Sequence, residues 1–546
     1  MCGILCVYDK LGTLGEQRDV MVKKVEASLS KLSHRGPDEK DIQDSDKFIF
    51  GHTRLSIVDL ESGKQPFQTQ VDQESLCWIH NGEIYNHETL KKELIEKYKI
   101  DFSFSKSDSS VIGPLIQKLG IEGFDKLDGV FATIVSVGDE LFVARDPMGV
   151  KPLYYGYDTQ DRIWFASEMK AIVEHCERIE TFLPGQAWSS KTGFYQYYTP
   201  KYREESLSFE SQIEKAKTSL REGLIKATQK RLMADVSVGS LLSGGLDSSL
   251  VAAIAAKELK KVGKKLHTYS IGMNRDSLDL LRARQVSKHI DSEHHEVLFT
   301  AQEGIDALKD MITLLETYDV TTIRASTPMH LMTKVISKDG IKVVLSGEGA
   351  DEIFGGYLYF AHAPTSMAFH EECLRRVKRL HTADLLRADR STMGASVEAR
   401  VPFLDKDFLE ISMAIDPELK MIRDDRCEKW ILRSAFEGES LIPDEVLWRQ
   451  KEQFSDGVGY SWVDGLKDLA ELYVTDEMFE QREELFPYQT PFTKEAFMYR
   501  QMFEEISPHK DVKKQVQRWI PKWQDYNLDP SGRANSVHVA TVMELS

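Results

Sequence analysis

The stretch VSVGSLLSGGLDSSLVAAIAAKEL, residues 236–259, constrains this chain more than any other. Residues 236–242 are apolar and β-branched, which predicts a buried strand, and residues 248–259 are rich in Ala and Leu, which predicts a helix. Between them lies Ser243-Gly244-Gly245-Leu246-Asp247-Ser248. Adjacent glycines remove the Cβ atoms that would keep a ligand from the backbone, so several N–H groups can converge on one anion. The helix that follows aims the positive end of its dipole at the same spot. The segment therefore reads as a phosphate cradle, with a plain Gly/Ser turn as the alternative. No Gly-Lys-Ser/Thr follows the glycines, so it is not a Walker A loop.

A strand–SGGLDS–helix unit resembles the pyrophosphate loop of the ATP-pyrophosphatase superfamily. That resemblance implies cleavage of ATP between the α- and β-phosphates, adenylation of a carboxylate and release of pyrophosphate. The surrounding pattern agrees with an α/β fold. Ile213, Ala216, Leu220, Leu224 and Ala227 fall at helical spacing, and strands are expected at 266–272 and 343–345. Alternating strands and helices predict a doubly wound parallel sheet with its ligand at the carboxyl ends of the strands.

Further along, Ser346-Gly347-Glu348-Gly349-Ala350-Asp351-Glu352 sets three carboxylates within five residues. They repel one another unless a cation neutralises them, and Mg2+ bridging phosphate oxygens is the candidate; a solvated acidic loop is the alternative. Residues 315–326, LETYDVTTIRAS, offer hydroxyls and one arginine suited to a small amino-acid carboxylate. Lys451, in WRQKEQFSDG, could meet the charge of a pentavalent α-phosphate, although composition alone favours a surface lysine there.

Residues 1 to about 200 are different, being short strands and turns. Met1-Cys2-Gly3-Ile4 enters an apolar strand directly. A small residue at position 2 allows removal of the initiator methionine, so Cys2 would carry a thiol and a free α-amine that serves as its base. An early core cysteine is the alternative. Asn81-Gly82 follows an expected strand at 76–80, and an Asn amide with the next backbone N–H forms a two-donor oxyanion hole. A further strand is expected at 101–104.

The segments HRGPD (34–38), GHTRLSIVD (51–59), NGEIYNH (81–87) and RDPMGVKPLYYG (145–156), with the terminal Cys, together resemble the class II, N-terminal-nucleophile glutamine amidotransferases. The resemblance implies an αββα sandwich of antiparallel sheets between helices, in which the thiolate attacks a glutamine amide and releases ammonia. It carries over Cys2 as nucleophile, and Asn81 and Gly82 as oxyanion hole. It also implies Arg54, Leu55, Ser56, Ile57, Val58, Glu83 and Asp108 as glutamine contacts. The family's SD-x-E reads Ser107-Asp108-Ser109-Ser110 here, without the glutamate.

Taken whole, SGGLDSS, YDVTTIRAS, SGEGADEIFGGYLYF, EARVPFLD and WRQKEQFSDGVGYSW resemble the glutamine-hydrolysing asparagine synthetase family, from Cys2 to the tail at 529–533. The resemblance implies amidation of L-aspartate with ATP and ammonia from L-glutamine, through β-aspartyl-AMP, giving AMP and pyrophosphate. It implies ATP contacts at Leu242, Ser243, Gly244, Gly245, Asp247, Ser248, Ile271, Ser346 and Gly347. It further implies catalytic Glu348 and Lys451, aspartate contacts at Thr321, Thr322 and Arg324, and Mg2+ on Asp247 and Asp351. Two units are expected, 1–203 and 204–546, assembled as a homodimer. The chain departs from the family pattern at Leu278, Ala350 and the segment 391–397. A β-lactam-forming enzyme of the same architecture and a silent metabolite-binding homologue are the competing readings; the terminal Cys counts against the first.

Bulk properties set outer limits. The 546 residues exceed what one core usually supports, and a net charge of −17 argues against nucleic acid or an anionic membrane as partner. Six scattered cysteines without CxxC spacing suit a reducing compartment, and no apolar run or leader pattern is present, so a cytosolic location is expected. His294-His295-Glu296 and His370-Glu371-Glu372-Cys373 do not complete HExxH and read as polar clusters.

Overall fold

The computed structural model describes residues 2–203, 208–449 and 460–523. In the N-terminal half, one antiparallel sheet runs in the order Cys176–Thr181, Tyr154–Asp158, Ile163–Ala166, Gly3–Tyr8, Phe48–Arg54, Glu39–Asp44. The second runs Gly193–Gln196, Gln186–Ser189, Glu140–Arg145, Gly129–Val137, Glu74–Ile84, Phe67–Val71. Strand alternation explains why Gly3–Tyr8 is apolar throughout. Ile4, Cys6 and Tyr8 face the layer between the sheets with Phe50, Ile79, Ile134 and Phe165, while Leu5 and Val7 pack outward on Met21, Val25 and Leu29 of the helix Arg18–Ser30. The outer face of the second sheet is covered by the helices His87–Tyr98 and Ile112–Leu119, through Leu90, Leu94 and Leu115 on Trp78, Phe131 and Val135. This is the expected αββα sandwich.

Two local expectations change. The strand expected at 76–80 extends over Glu74–Ile84, so Asn81 and Gly82 lie within it, paired to Ala132 and Phe131. Residues 101–104 form no strand. The Asp101 carboxylate takes the Ser103 N–H at 2.9 Å and its hydroxyl at 2.7 Å, a local turn that competes with a ladder. Phe104 then packs edge-on against Trp78 and Phe67.

The C-terminal half carries a five-stranded parallel sheet in the order Glu293–Leu298, His267–Gly272, Val238–Leu241, Val343–Leu345, Glu398–Arg400. Successive strands step outward from Val238–Leu241 in one direction and then resume on its other side, so the topological switch lies between Val238–Leu241 and Val343–Leu345. Val238, Val343 and Leu345 pack on Leu220, Leu224, Leu250 and Ile254 of the helices Ile213–Lys230 and Leu246–Lys261. Leu241, Tyr269, Ile271 and Val344 pack on Leu315, Ile323 and Met332, from the helices Leu308–Leu315 and Val320–Lys338. Helices on both faces make the sheet doubly wound. One apolar cluster crosses from half to half, joining Leu55, Ile57, Val130, Met148 and Val150 to Leu242, Leu345, Val401 and Phe403. All six cysteines are free, and among the described residues no helix is long and apolar enough to cross a membrane.

Candidate active site

The strands deliver two separate sets of reactive groups. In the first, Cys2 is buried at the start of its strand and its nitrogen donates to Asn81 Oδ1 at 2.9 Å. Asn81 Nδ2 is buried with no partner among the described residues, so one side chain grips the residue at the chain start and still presents a donor. Burial pushes the Cys2 thiol above its ordinary value, while a backbone N–H from Leu55 and the charge of Arg54 pull it down. The Cys2 carbonyl accepts from Arg35 Nε at 3.2 Å.

The other residues expected around glutamine are close-packed but already engaged. Arg54 donates to Glu39 Oε2 at 3.0 Å and to the Asp59 carbonyl. Asp108 Oδ2 accepts the Ile84 N–H at 2.7 Å, and its Oδ1 accepts from Ser107 and Ser109 hydroxyls at 3.2 and 3.3 Å. Ser110, where the family places a glutamate, turns its hydroxyl to the Ser107 carbonyl at 2.6 Å. Glu83 Oε1 lies 3.0 Å from Arg400 Nη2, leaving Oε2 buried without a partner among the described residues. Burial drives the Glu83 carboxyl well above its usual range against the pull of Arg400. Leu55 and Ile57 belong to the apolar cluster, with Val58 packed against it. The Ser56 N–H donates to Asp38 Oδ2 at 2.7 Å, and Lys342 Nζ reaches the same oxygen at 2.7 Å.

The second set lines a cleft at the carboxyl ends of the parallel strands, astride the switch point. Its wall includes Leu242, Ser243, Asp247, Ser248, Ile271, Ser346, Gly347, Glu348, Asp351 and Thr321. Gly244 and Gly245 are not on that wall, which refines the reason for the glycines. Gly244 sits at φ +73°, and a Cβ there would lie 2.6 Å from Ala283 N, so it lets the loop turn tightly against the helix Leu278–Ile290. Gly347 lets the two loops meet, since its Cβ would lie 2.8 Å from Ser248 N. Ser243 Oγ and Ser248 Oγ are 3.1 Å apart across the loop mouth.

Two features of the cleft are not legible in the sequence. Lys429 Nζ bridges Asp247 and Asp351, and its side chain is 1 % exposed. Lys429 stands in the unremarkable run Cys427-Glu428-Lys429-Trp430, and only the need to neutralise converging carboxylates could have pointed to it. Arg387, from the helix Asp384–Met393, pairs with Glu348 and with Asp384, the latter at 3.1 Å.

One expected group is dispersed. Thr321 faces the cleft, but Thr322 is held by the helix cap, donating its N–H and its hydroxyl to Asp319 Oδ2 at 2.8 Å each. Arg324 is buried in a fork with Glu495, Nε to Oε1 at 2.8 Å and Nη2 to Oε2, and is not on the cleft wall. Helical neighbours step by about 100°, which turns Thr322 from Thr321, whereas Arg324, one turn on from Thr321, is taken up by Glu495. Lys451 lies outside the described residues.

The helix Asp384–Met393 touches both sets. Two residues from Arg387, Asp389 holds Arg35 in a bidentate pair at 2.8 and 3.0 Å, and Arg35 holds the Cys2 carbonyl. Arg390 adds pairs to Glu168 at 2.7 Å and Glu316 at 3.0 Å.

Comparison with known proteins agrees with this two-part architecture. The family described as Asparagine synthase matches residues 219–368 and 361–528, and the family described as Glutamine amidotransferase domain matches residues 1–229. A Dictyostelium discoideum protein named probable asparagine synthetase (glutamine-hydrolyzing) is 48% identical over 99% of this chain and 100% of its own length. Asparagine synthetase (glutamine-hydrolyzing) 2 of Arabidopsis thaliana is 46% identical over 100% of this chain and 96% of its own length. A Schizosaccharomyces pombe protein named probable asparagine synthetase (glutamine-hydrolyzing) is 46% identical over 99% and 100%. This chain belongs to the asparagine synthase family, with a glutamine amidotransferase domain at its N-terminal end.

Proposed function

We propose that this chain amidates L-aspartate to L-asparagine with ATP, using nitrogen taken from L-glutamine. The observation that carries the proposal is the pairing of Cys2, at the chain start beside a buried and unpartnered Asn81 amide, with a cleft lined by Ser243, Asp247, Ser248, Ser346 and Gly347 at the switch point of a parallel sheet. With Met1 removed, the Cys2 nitrogen held by Asn81 Oδ1 becomes the α-amine that takes the thiol proton. The thiolate attacks the glutamine amide while Asn81 Nδ2 and the Gly82 N–H steady the oxyanion; the protonated α-amine then returns its proton as the C–N bond breaks and ammonia leaves, and water hydrolyses the Cys2 thioester to glutamate. Arg54, Glu83 and Asp108 surround the substrate, exchanging present partners for its charged groups.

At the second centre, Ser243–Ser248 and Ser346–Gly347 cradle the phosphates, and Leu242 and Ile271 flank the nucleotide. Asp247 and Asp351 converge on one cation position, already taken by an ammonium, and Asp247 Oδ1 is buried without a partner among the described residues. The donor set fits Mg2+, which when bound would neutralise phosphate oxygens. Lys429 and Lys451 supply positive charge to the α-phosphate as the aspartate carboxylate attacks, giving β-aspartyl-AMP and pyrophosphate. Thr321 and the Glu348–Arg387 pair orient aspartate, and Glu348 accepts a proton as ammonia displaces AMP. Ammonia is a nucleophile only when uncharged, and the apolar cluster spanning both halves suits its passage. A homodimer in the cytosol completes the reading.

The test measures asparagine, AMP and pyrophosphate from ATP and aspartate, with glutamine or ammonia as donor, for the native chain and Cys2→Ala. The variant loses glutamine use by ~10³-fold or more and keeps ammonia use. Loss of both activities, or ADP and orthophosphate as products, overturns the proposal.

A further inference from the structure

Parallel pairing on the outer edge of the five-stranded sheet brings together side chains far apart in sequence. His267 pairs in register with Glu293, and Tyr269 with His295, so all four project from one face, while Thr268, His294 and Glu296 project from the other. His267 Nδ1 and His295 Nε2 are 3.3 Å apart, and the Glu293 carboxylate lies 3.8 Å from the first and 3.9 Å from the second. A tetrahedral ion with bonds of ~2.0–2.1 Å sets its ligand atoms ~3.3–3.4 Å apart. The two ring nitrogens already stand at that spacing, and Glu293, whose side chain is 56 % exposed and turns Oε2 to His267 and Oε1 to His295, has room to swing one oxygen between them.

The surroundings orient the rings as ligands. The other nitrogen of His295, Nδ1, faces Asp339 Oδ2 at 3.8 Å, and that oxygen is held by the Tyr269 hydroxyl at 3.0 Å. A carboxylate behind a ligating imidazole keeps the proton on the far nitrogen and leaves the near lone pair free. The ring of His295 is fixed by stacking on Tyr269, centroids 4.6 Å apart at 11°. Both histidines are under a third exposed, so solvent can supply a fourth ligand.

We propose that His267 Nδ1, His295 Nε2 and the Glu293 carboxylate form a site for a Zn2+-class transition-metal ion that clamps the two outermost strands of the parallel sheet. Two imidazoles and one carboxylate suit Zn2+, Co2+ or Ni2+ and not Mg2+, whose ligands are oxygens. The site lies toward the amino ends of the strands, opposite the nucleotide cleft, so it stands whether or not the activity above is right. His294 and Glu296, adjacent in sequence, are not ligands, because alternation turns them away.

The test is titration of the untagged, full-length Cys2→Ala chain with Co2+, read by visible absorption of tetrahedral cobalt and followed by Zn2+ competition. About one equivalent binds with nitrogen and oxygen ligation. His267→Ala and His295→Ala each weaken binding at least ~10-fold, whereas His294→Ala, on the opposite face, leaves it unchanged. Zn2+ raises the thermal midpoint of the parent and not of the His267→Ala/His295→Ala double variant. Absence of binding, or binding that survives the double variant, overturns the proposal.

Discussion

The glutamine-side centre and the nucleotide cleft are built on opposite terms. Around Cys2 nearly every polar side chain is buried and already bonded, and several of the bonds come from the other half: Arg400 on Glu83, Asp389 on Arg35, Lys342 on Asp38. The cleft is open and lined by groups of its own half. Its compensating charges, Lys429 and Arg387, are also local. The amidotransferase site therefore depends on the synthetase half for its shape, whereas no described N-terminal residue lines the cleft, and the N-terminal half meets it at one remove, through Arg35 and Glu168 on the helix that carries Arg387. Damage in the first half should leave ammonia-driven chemistry intact, and damage in the helix Asp384–Met393 should reach the centre that the altered residue faces, the glutamine side for Asp389 and the cleft for Arg387.

The sharpest way to break this contrast is Lys429→Met. It leaves Asp247 and Asp351 without their bridging cation, so both nitrogen donors should fail alike, by ~10²–10³-fold, in ATP–pyrophosphate exchange and in asparagine formation. Selective loss of glutamine use would contradict the independence of the cleft. Next in size, Arg324→Gln unpairs a buried Glu495 and should cost ~3–5 kcal/mol of stability, seen as a lower thermal midpoint. Its aspartate KM should stay unchanged, because the guanidinium is spent on structure; a large rise in KM would return Arg324 to the substrate site.

Asp389→Asn tests the link between halves. It removes the bidentate hold on Arg35 and so loosens the Cys2 carbonyl, lowering glutamine-dependent kcat/KM by up to ~10²-fold while ammonia-dependent turnover stays near its parent value. Equal losses with both donors would place the effect in the cleft through Arg387 instead.

The smallest effect is acid sensitivity. Burial holds His52, in the strand paired with Gly3–Tyr8, and His80, in the facing sheet, down to about 3. Their folded values lie below the unfolded value near 6.5, so below that pH the unfolded chain takes up protons that the folded chain refuses. Stability is full above pH ~6.5 and falls as pH drops toward 3, by ~1 kcal/mol per histidine at pH 5.5. The urea midpoint of glutamine-dependent activity should fall from pH 7 to 5, and His80→Gln should flatten that fall.

The sequence made the parallel sheet legible because a strand, two glycines and a helix follow one another without a break. The observed strand Val238–Leu241 and helix Leu246–Lys261 differ from expectation only at their ends. The antiparallel half was legible through its motifs more than its strands. Residues 101–104 have the apolar alternation of a strand, yet an Asp–Ser turn wins locally, because a side chain one bond away reaches the backbone before any distant strand can. The partner of Arg324 was hidden for a related reason: an arginine suited to a substrate carboxylate is equally suited to Glu495, which is 171 residues away and invisible to local reading.

What the sequence determined alone was therefore the chemistry carried by contiguous residues: a thiol at position 2, a glycine-bearing turn before a helix, and an Asn-Gly pair. Tertiary structure decided which charges meet. Lys429 between Asp247 and Asp351, Arg35 between Asp389 and Cys2, and His267 beside His295 each join elements that only the sheet order brings together. Backbone propensity and turn chemistry act over a few residues, whereas pairing of buried charges acts through space, and only the closed fold fixes those distances.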